Sequence, residues 1–422
     1  MKLLVIQVAA LSFDLFKKHS KAEFWSELEM KSVESIFPAV TSSVQATFRT
    51  ASLPAQHGML SNGLWDSEYS KVRFWEQSSN LYLGARIWDE FRKKGNKVAQ
   101  VCWQQSMGLD SDIVLSPAPI HKHHGGMIQD FYSKPSNLYN DICSKLGRKF
   151  NLMNYWGPFT SLKSSSWIVD ATIEILKGEL VEPNLILTYI PHLDYDLQRY
   201  GASSNNAPKV FAELEKLLEK LLHHAKERGY EVVLFGDYAI NGVNKSIRPN
   251  KLLLAEELFS IRDVKGMYYP NFTDSKCFAV CDHQVAHIYF NDFSIYNTAK
   301  ELFINFDGLT VSEEHSEKYG KYLILEADKG AWFSYKWWDN DKNAPDFATH
   351  VDIHNKPGFD PCELFMKWLP PLSVPLDDSI VKGSHGRVKG KENQILLSST
   401  ISLPNNITDI LTLSEFIKST LS

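Results

Sequence analysis

Residues 38–63 read PAVTSSVQATFRTASLPAQHGMLSNG, and the fold is decided by how this stretch is understood. It opens with a proline turn and three hydroxyls, Thr41, Ser42 and Ser43, before a run from Val44 to Thr50 that can be helical. A Leu-Pro break at Leu53 and Pro54 ends that run, and His57-Gly58 and Asn62-Gly63 close the stretch. A hydroxyl before a helix is ordinarily an N-cap. The same place suits an anion, and a hydroxyl nucleophile attacking one, because unpaired N–H groups and the helix dipole favour negative charge there.

Moving outward, apolar runs alternate with helical periodicity. Lys2 to Val8, Lys97 to Trp103, Leu185 to Ile190 and Tyr230 to Phe235 read as buried strands. Pro208 to Arg228 carries Phe211, Leu214, Leu217, Leu218, Leu221 and Leu222 at helical spacing, and Gly229 ends it. Phe13 to Glu34 and Leu83 to Lys94 are expected to contribute helix, Trp65 to Gln77 a hairpin, and Trp167 to Leu176 a further helix. This order predicts an α/β fold with a central, mostly parallel sheet. Two strands end in acidic residues, at Asp194 and Asp237, where open α/β sheets place their sites. After Asn241 the pattern shifts to shorter strands, such as Phe278 to Phe290 and Tyr322 to Ala327. Residues 1–422 are therefore expected to form one domain, with a small cap drawn from 245–350.

Composition narrows the class. The 422 residues are 44% hydrophobic and 12% aromatic, enough for a large core, and the net charge is −5. That charge argues against coating a nucleic-acid polymer or an anionic membrane. Cys102, Cys143, Cys277, Cys281 and Cys362 are scattered, which suits buried thiols in a reducing compartment. The amino-terminal apolar run stops at Phe13 and meets Asp14 without a cleavage site, so it reads as a strand rather than a signal peptide. The expected location is cytoplasmic. His121, His123 and His124 in SPAPIHKHHGGM leave three readings open: a metal loop, a solvated loop or a substrate-contacting loop.

The order Thr41, Pro54, His57-Gly58, Asn62 resembles the nucleophile segment of the alkaline phosphatase superfamily, in the nucleotide pyrophosphatase/phosphodiesterase branch that includes phosphonoacetate hydrolase. The resemblance implies a three-layer sandwich with a mostly parallel sheet and a small cap. It makes Thr41 the nucleophile and Asn62 a donor to a phosphoryl oxygen. It also implies two divalent ions that clamp the phosphoryl oxygens. Asp194 falls at the start of the branch's D-x-x-x-H, Asp237 at its D-H-G and His385 at its late G-x-H-G. Three ligand positions depart from the pattern: Ala9 replaces the strand-one aspartate, Gln198 one histidine and Tyr238 the other. One metal position thus keeps Asp194, His385 and Gln198, while the other keeps Asp237 and Thr41. Zinc is the expected ion and manganese the alternative, with one or two per chain. Asp282 and His283, or Asp352 and His354, are candidate substitute ligands, and His287, His192 and Asp196 are further visible candidates.

The function implied is hydrolysis of a small-molecule phosphate ester, of the phosphodiesterase or nucleotide pyrophosphatase type. Phosphoryl transfer, phosphonate hydrolysis, and ligand binding without catalysis are the alternatives. The aromatic segments around Trp65, Phe74, Trp75, Tyr155 and Trp156 suggest an apolar or ring-bearing group on the ligand.

Overall fold

The structure, a computed structural model, describes residues 1–108, 110–368 and 372–422. Its strands are β1 (Leu3–Val8), β2 (Glu29–Val33), β3 (Gly63–Asp66), β4 (Lys71–Phe74), β5 (Val98–Val101), β6 (Ile113–Pro117), β7 (Phe131–Lys134), β8 (Leu185–Ile190), β9 (Glu231–Gly236), β10 (Cys277–Asp282), β11 (Val285–Phe290), β12 (Leu309–Ser316), β13 (Gly320–Ala327) and β14 (Ile395–Ser399). Its principal helices are α1 (Phe13–His19), α2 (Thr41–Thr50), α3 (Leu162–Leu176), α4 (His192–Tyr200), α5 (Ala207–Glu227) and α6 (Ile410–Leu421).

The main sheet runs β2-β14-β9-β1-β8-β5-β6-β7. The five strands from β9 to β6 are mutually parallel, and the strands outside them pair antiparallel. This is the mostly parallel α/β architecture the sequence predicts. Burial explains it: β1 and β8 are buried at every residue, as continuous apolar runs in parallel sheets require. Val8 lies level with Ile190 and with Gly236, so β1, β8 and β9 end side by side and deliver Ala9, the start of α4 and Asp237 to one edge. The close approach there depends on Gly236, where a Cβ would meet the Leu11 carbonyl oxygen at 2.1 Å.

Two expected helices are corrected. Phe13 to Glu34 is α1, a short 3-10 turn and then β2; the polar run EMKSV gains strand structure only by pairing with β14 at the sheet edge. Leu83 to Lys94 is helical only over Asp89–Lys93, because Gly84 sits in the left-handed region at φ +94°. Trp65 to Gln77 does contain a hairpin, β3–β4.

Within 245–350, β10–β13 form a four-stranded antiparallel sheet in the order β10-β11-β13-β12. Its own apolar core includes Phe278, Leu323, Phe333, Trp337 and Phe359, joined by Trp65 and Phe74 from the β3–β4 hairpin. Phe278 to Phe290 is a hairpin rather than one strand, and its turn places Asp282 and His283 at the tip, with His283 at φ 61°. No helix among the described residues is long and apolar enough to cross a membrane.

Candidate active site

The hydroxyls of residues 41–43 do not cap α2. Thr41 is the first helical residue, and Val40 occupies the cap position with no side-chain bond. The capping work falls to Asn62, whose Oδ1 accepts from the Ser42 N–H at 3.0 Å. Thr41 Oγ1 instead donates to Asp237 Oδ2 at 3.4 Å. The phenols of Tyr189 and Tyr238 also reach the Thr41 hydroxyl.

Asp237 is fully buried at the end of β9. Its Oδ2 accepts from Gln7 Nε2 at 2.9 Å and its Oδ1 from the Ala10 N–H at 3.0 Å. Burial pushes its carboxyl up to about 8, against those hydrogen bonds and with Asp194 adding to the rise. Gln7 is a residue the sequence reading passed over. It is the one polar side chain in the strand LLVIQV, and a buried amide there demands a partner. Asp194 and Gln198 lie one turn apart on α4, and Gln198 Nε2 donates to Asp194 Oδ2 at 2.7 Å. Tyr238 donates its phenolic O–H to Asp194 Oδ1 at 2.9 Å. Burial raises the Asp194 carboxyl too, opposed by these two donors.

A third buried carboxylate comes from the hairpin tip. Asp282 accepts from the Asn62 backbone N–H at 2.8 Å, from Asn62 Nδ2 at 3.3 Å and from His283 Nδ1 at 2.7 Å. His385 Nδ1 donates to the Ala39 carbonyl at 2.8 Å, and burial holds its imidazole well below the ordinary range. Four rings then follow one another: Phe359 stacks on His283 at 3.7 Å, His283 meets His385 at 3.7 Å with a 34° tilt, and His385 stacks on Tyr238 at 3.4 Å between centroids.

These groups floor a cavity of about 850 Å³. Thr41, Asn62, Asp194, Gln198, Tyr238, His283, Asp352, His354 and His385 all line it. Asp237 and Asp282 sit just behind, bonded to Thr41 and to Asn62 and His283. Asp352 and His354 belong to the half-buried rim, where His354 Nδ1 donates to the Phe74 carbonyl at 2.9 Å and its ring meets that of His121 at 6.0 Å. His192, Asp196 and His287 are not in the lining: His192 lies 3.2 Å from Glu213, Asp196 pairs with Arg199, and His287 is buried in β11. The walls are apolar and aromatic, with Trp75, Met107, Met127, Met153, Tyr155 and Trp156 prominent, and no Lys or Arg among the described residues lines them.

His57 has a structural role. Its Nδ1 accepts from the Met59 N–H at 3.1 Å and its Nε2 donates to Thr47 Oγ1 at 3.0 Å, which fixes a neutral ring. Burial, helped by Arg49, lowers it from 6.5 to about 3. The unfolded chain therefore takes up this proton below pH 6.5 while the folded chain does not, so stability should fall as pH drops from 6.5 towards 3. Urea midpoints at pH 7.5 and 4.5 check this: the loss on acidification should be smaller in His57→Gln than in the parent.

The donor set does not fit the pair of ions that the resemblance implies. The second position has an alkyl group at Ala9 and a phenol at Tyr238. Asp237 there already accepts from Gln7, Ala10 and Thr41. The first has Gln198 turned so that its amide N–H, not its carbonyl, meets Asp194. Gln198 Oε1 and His283 Nε2 are buried without partners. Among the described residues, however, no three side chains of His, Cys, Asp or Glu come together as a metal-holding group.

A family model described as Type I phosphodiesterase / nucleotide pyrophosphatase matches residues 3–360. Ectonucleotide pyrophosphatase/phosphodiesterase 1 of Saccharomyces cerevisiae is 23% identical over 235 residues, which cover 53% of this chain and 30% of that protein. This chain thus matches less than a third of that relative's length. An inactive variant of murine ectonucleotide pyrophosphatase/phosphodiesterase 5, in complex with AMP, superposes with a TM-score of 0.63 at 14% identity, covering 100% of this chain and 95% of that one. Phosphonoacetate hydrolase from Sinorhizobium meliloti, in complex with phosphonoacetate, gives 0.62 at 12% identity, covering 100% and 96%. At these identities the two structures establish the shared fold. Enzymes of the matched family generally use divalent metals.

Proposed function

The chain belongs to the type I phosphodiesterase / nucleotide pyrophosphatase family, and from that premise we propose that it hydrolyses a small phosphodiester, with Thr41 as the nucleophile. The observation that carries this reading is the Thr41 hydroxyl itself. It is buried at a helix start where it caps nothing, borders the cavity and points its hydrogen at a carboxylate. Thr41 Oγ1 attacks phosphorus and its proton passes to Asp237 Oδ2 in molecules whose Asp237 is ionised, a fraction that grows as pH rises towards about 8 and above. The leaving group departs, and water then cleaves the phosphoryl-threonine. The α2 amino terminus favours the anion during both steps.

Cavity chemistry selects among esters. With no Lys or Arg in its described lining, the cavity suits a singly charged diester better than a polyphosphate, whose extra charges would be buried unpaired. Trp75, Tyr155 and Trp156 offer ring faces to an apolar or aromatic substituent. Zinc or manganese finds no complete ligand set here, and no step of this reading passes through an ion. Ligand binding without turnover is the second reading, favoured by the hydrogen bonds that already occupy Asp194 and Asp237.

Acid quenching during incubation with bis-(p-nitrophenyl) phosphate, then peptide mass spectrometry, tests the proposal. A phosphoryl adduct is expected on Thr41. An adduct on another residue removes Thr41 from the role, and saturable binding with no adduct and no released nitrophenol leaves the binding reading.

A further inference from the structure

We propose that the centre of this site is assembled without resident divalent ions, its three buried carboxylates being held by hydrogen-bond donors of the chain itself. A buried carboxylate needs either cations or several donors aimed at it. Here both oxygens of each carboxylate are met by protein donors. Asp194 takes the Tyr238 O–H at 2.9 Å and Gln198 Nε2 at 2.7 Å. Asp237 takes the Ala10 N–H at 3.0 Å and Gln7 Nε2 at 2.9 Å. Asp282 takes the Asn62 N–H at 2.8 Å and His283 Nδ1 at 2.7 Å.

The positions of these donors are informative. Tyr238 and Gln198 stand where the family pattern has imidazole ligands, and the Ala10 N–H is next to Ala9, where it has a carboxylate. Ala10 is held at φ 61°, a conformation unusual for a residue with a Cβ, and its N–H is spent on Asp237. Each departure from the ligand pattern is therefore matched by a donor at or beside the same place. A cation would have to displace N–H and O–H groups that point their positive ends at the carboxylates. Gln198 could coordinate only by turning its carbonyl inward and breaking its bond to Asp194. The substitutions are mutually consistent as a replacement of ionic by dipolar stabilisation.

This inference concerns the site on which the proposed hydrolysis rests, but its test reads metal content and thermal stability. Either can therefore fail while the other stands. The full chain is produced in medium supplemented with zinc and manganese, purified without chelator and analysed by inductively coupled plasma mass spectrometry. Thermal unfolding is then followed with EDTA and with added zinc chloride. Far less than one ion per chain is expected, with a melting temperature moved by neither reagent. Tyr238→Phe, which keeps the ring and removes one donor, should lower the melting temperature by ~2 °C or more, equally with and without EDTA. One ion or more retained per chain, or a melting temperature that falls in EDTA, would overturn the proposal. If His283→Ala then lost that ion, it would lie against His283 Nε2, which is buried without a partner. A Tyr238→Phe variant as stable as the parent would equally overturn the donor argument.

Discussion

Thr41→Ala is expected to lower kcat for bis-(p-nitrophenyl) phosphate on the order of 10³-fold or more, as loss of a nucleophile does, while leaving the fold in place. The two effects separate because the hydroxyl supports no cap: Val40 holds the cap position, and the Ser42 N–H is satisfied by Asn62. Asp237 keeps its bonds from Gln7 and Ala10, so the stability change should stay within about 1 kcal/mol. Thr41→Ser retains a hydroxyl and should recover part of the rate. The comparison is made on steady-state kinetics and urea unfolding of the same preparations. Full activity in Thr41→Ala would end the nucleophile assignment.

Lys356→Met should have the largest effect on stability. The Lys356 ammonium is buried 2.8 Å from both Asp360 Oδ2 and Glu363 Oε1. Burial pulls this lysine down, but Asp360 and Glu363 outweigh it and hold the group above its ordinary range. Removing the cation leaves two carboxylates uncompensated, an arrangement that costs about 3–5 kcal/mol when a buried pair is broken. The damage should reach the site, since Phe359 lies in the same segment and stacks on His283, and Glu363 also binds the Trp156 indole N–H at 2.6 Å. Adding Asp360→Asn and Glu363→Gln to Lys356→Met removes the unpaired charges and should restore much of the loss. Equilibrium urea unfolding measures both. A loss below about 1 kcal/mol in Lys356→Met would show that the carboxylates had found other partners.

What could be read from the sequence follows from how local each signal is. β8 and β9 are apolar runs between strong punctuation, and α5 repeats its leucines over many turns, so their own residues declare them. β2 and β14 are edge partners more than 360 residues apart, and Glu29–Val33 carries no pattern without Ile395–Ser399 beside it. Thr41 illustrates the same limit in the site. Its local chemistry pointed to capping, and only the fixed order of distant residues suggested otherwise. The gathering of Asn62, Asp194 and His385 around one cavity was legible through the resemblance, and for Asp194 also through its place just after a buried strand. Gln7 announced itself only as a polar residue in an apolar strand. Asp282 and His283 stood out as candidate ligands, but their place at a hairpin tip did not, because the turn there puts a non-glycine residue at positive φ.

The four-ring stack has a mechanical consequence. Phe359 belongs to the core of the smaller sheet, His283 to the tip of its β10–β11 hairpin, and Tyr238 follows β9 of the main sheet. The rings therefore bolt the two cores together across the cavity floor. Three ring contacts at ~0.5–1.5 kcal/mol each oppose any hinge there. A motion that did prise the halves open would dismantle the floor on which the chemistry stands.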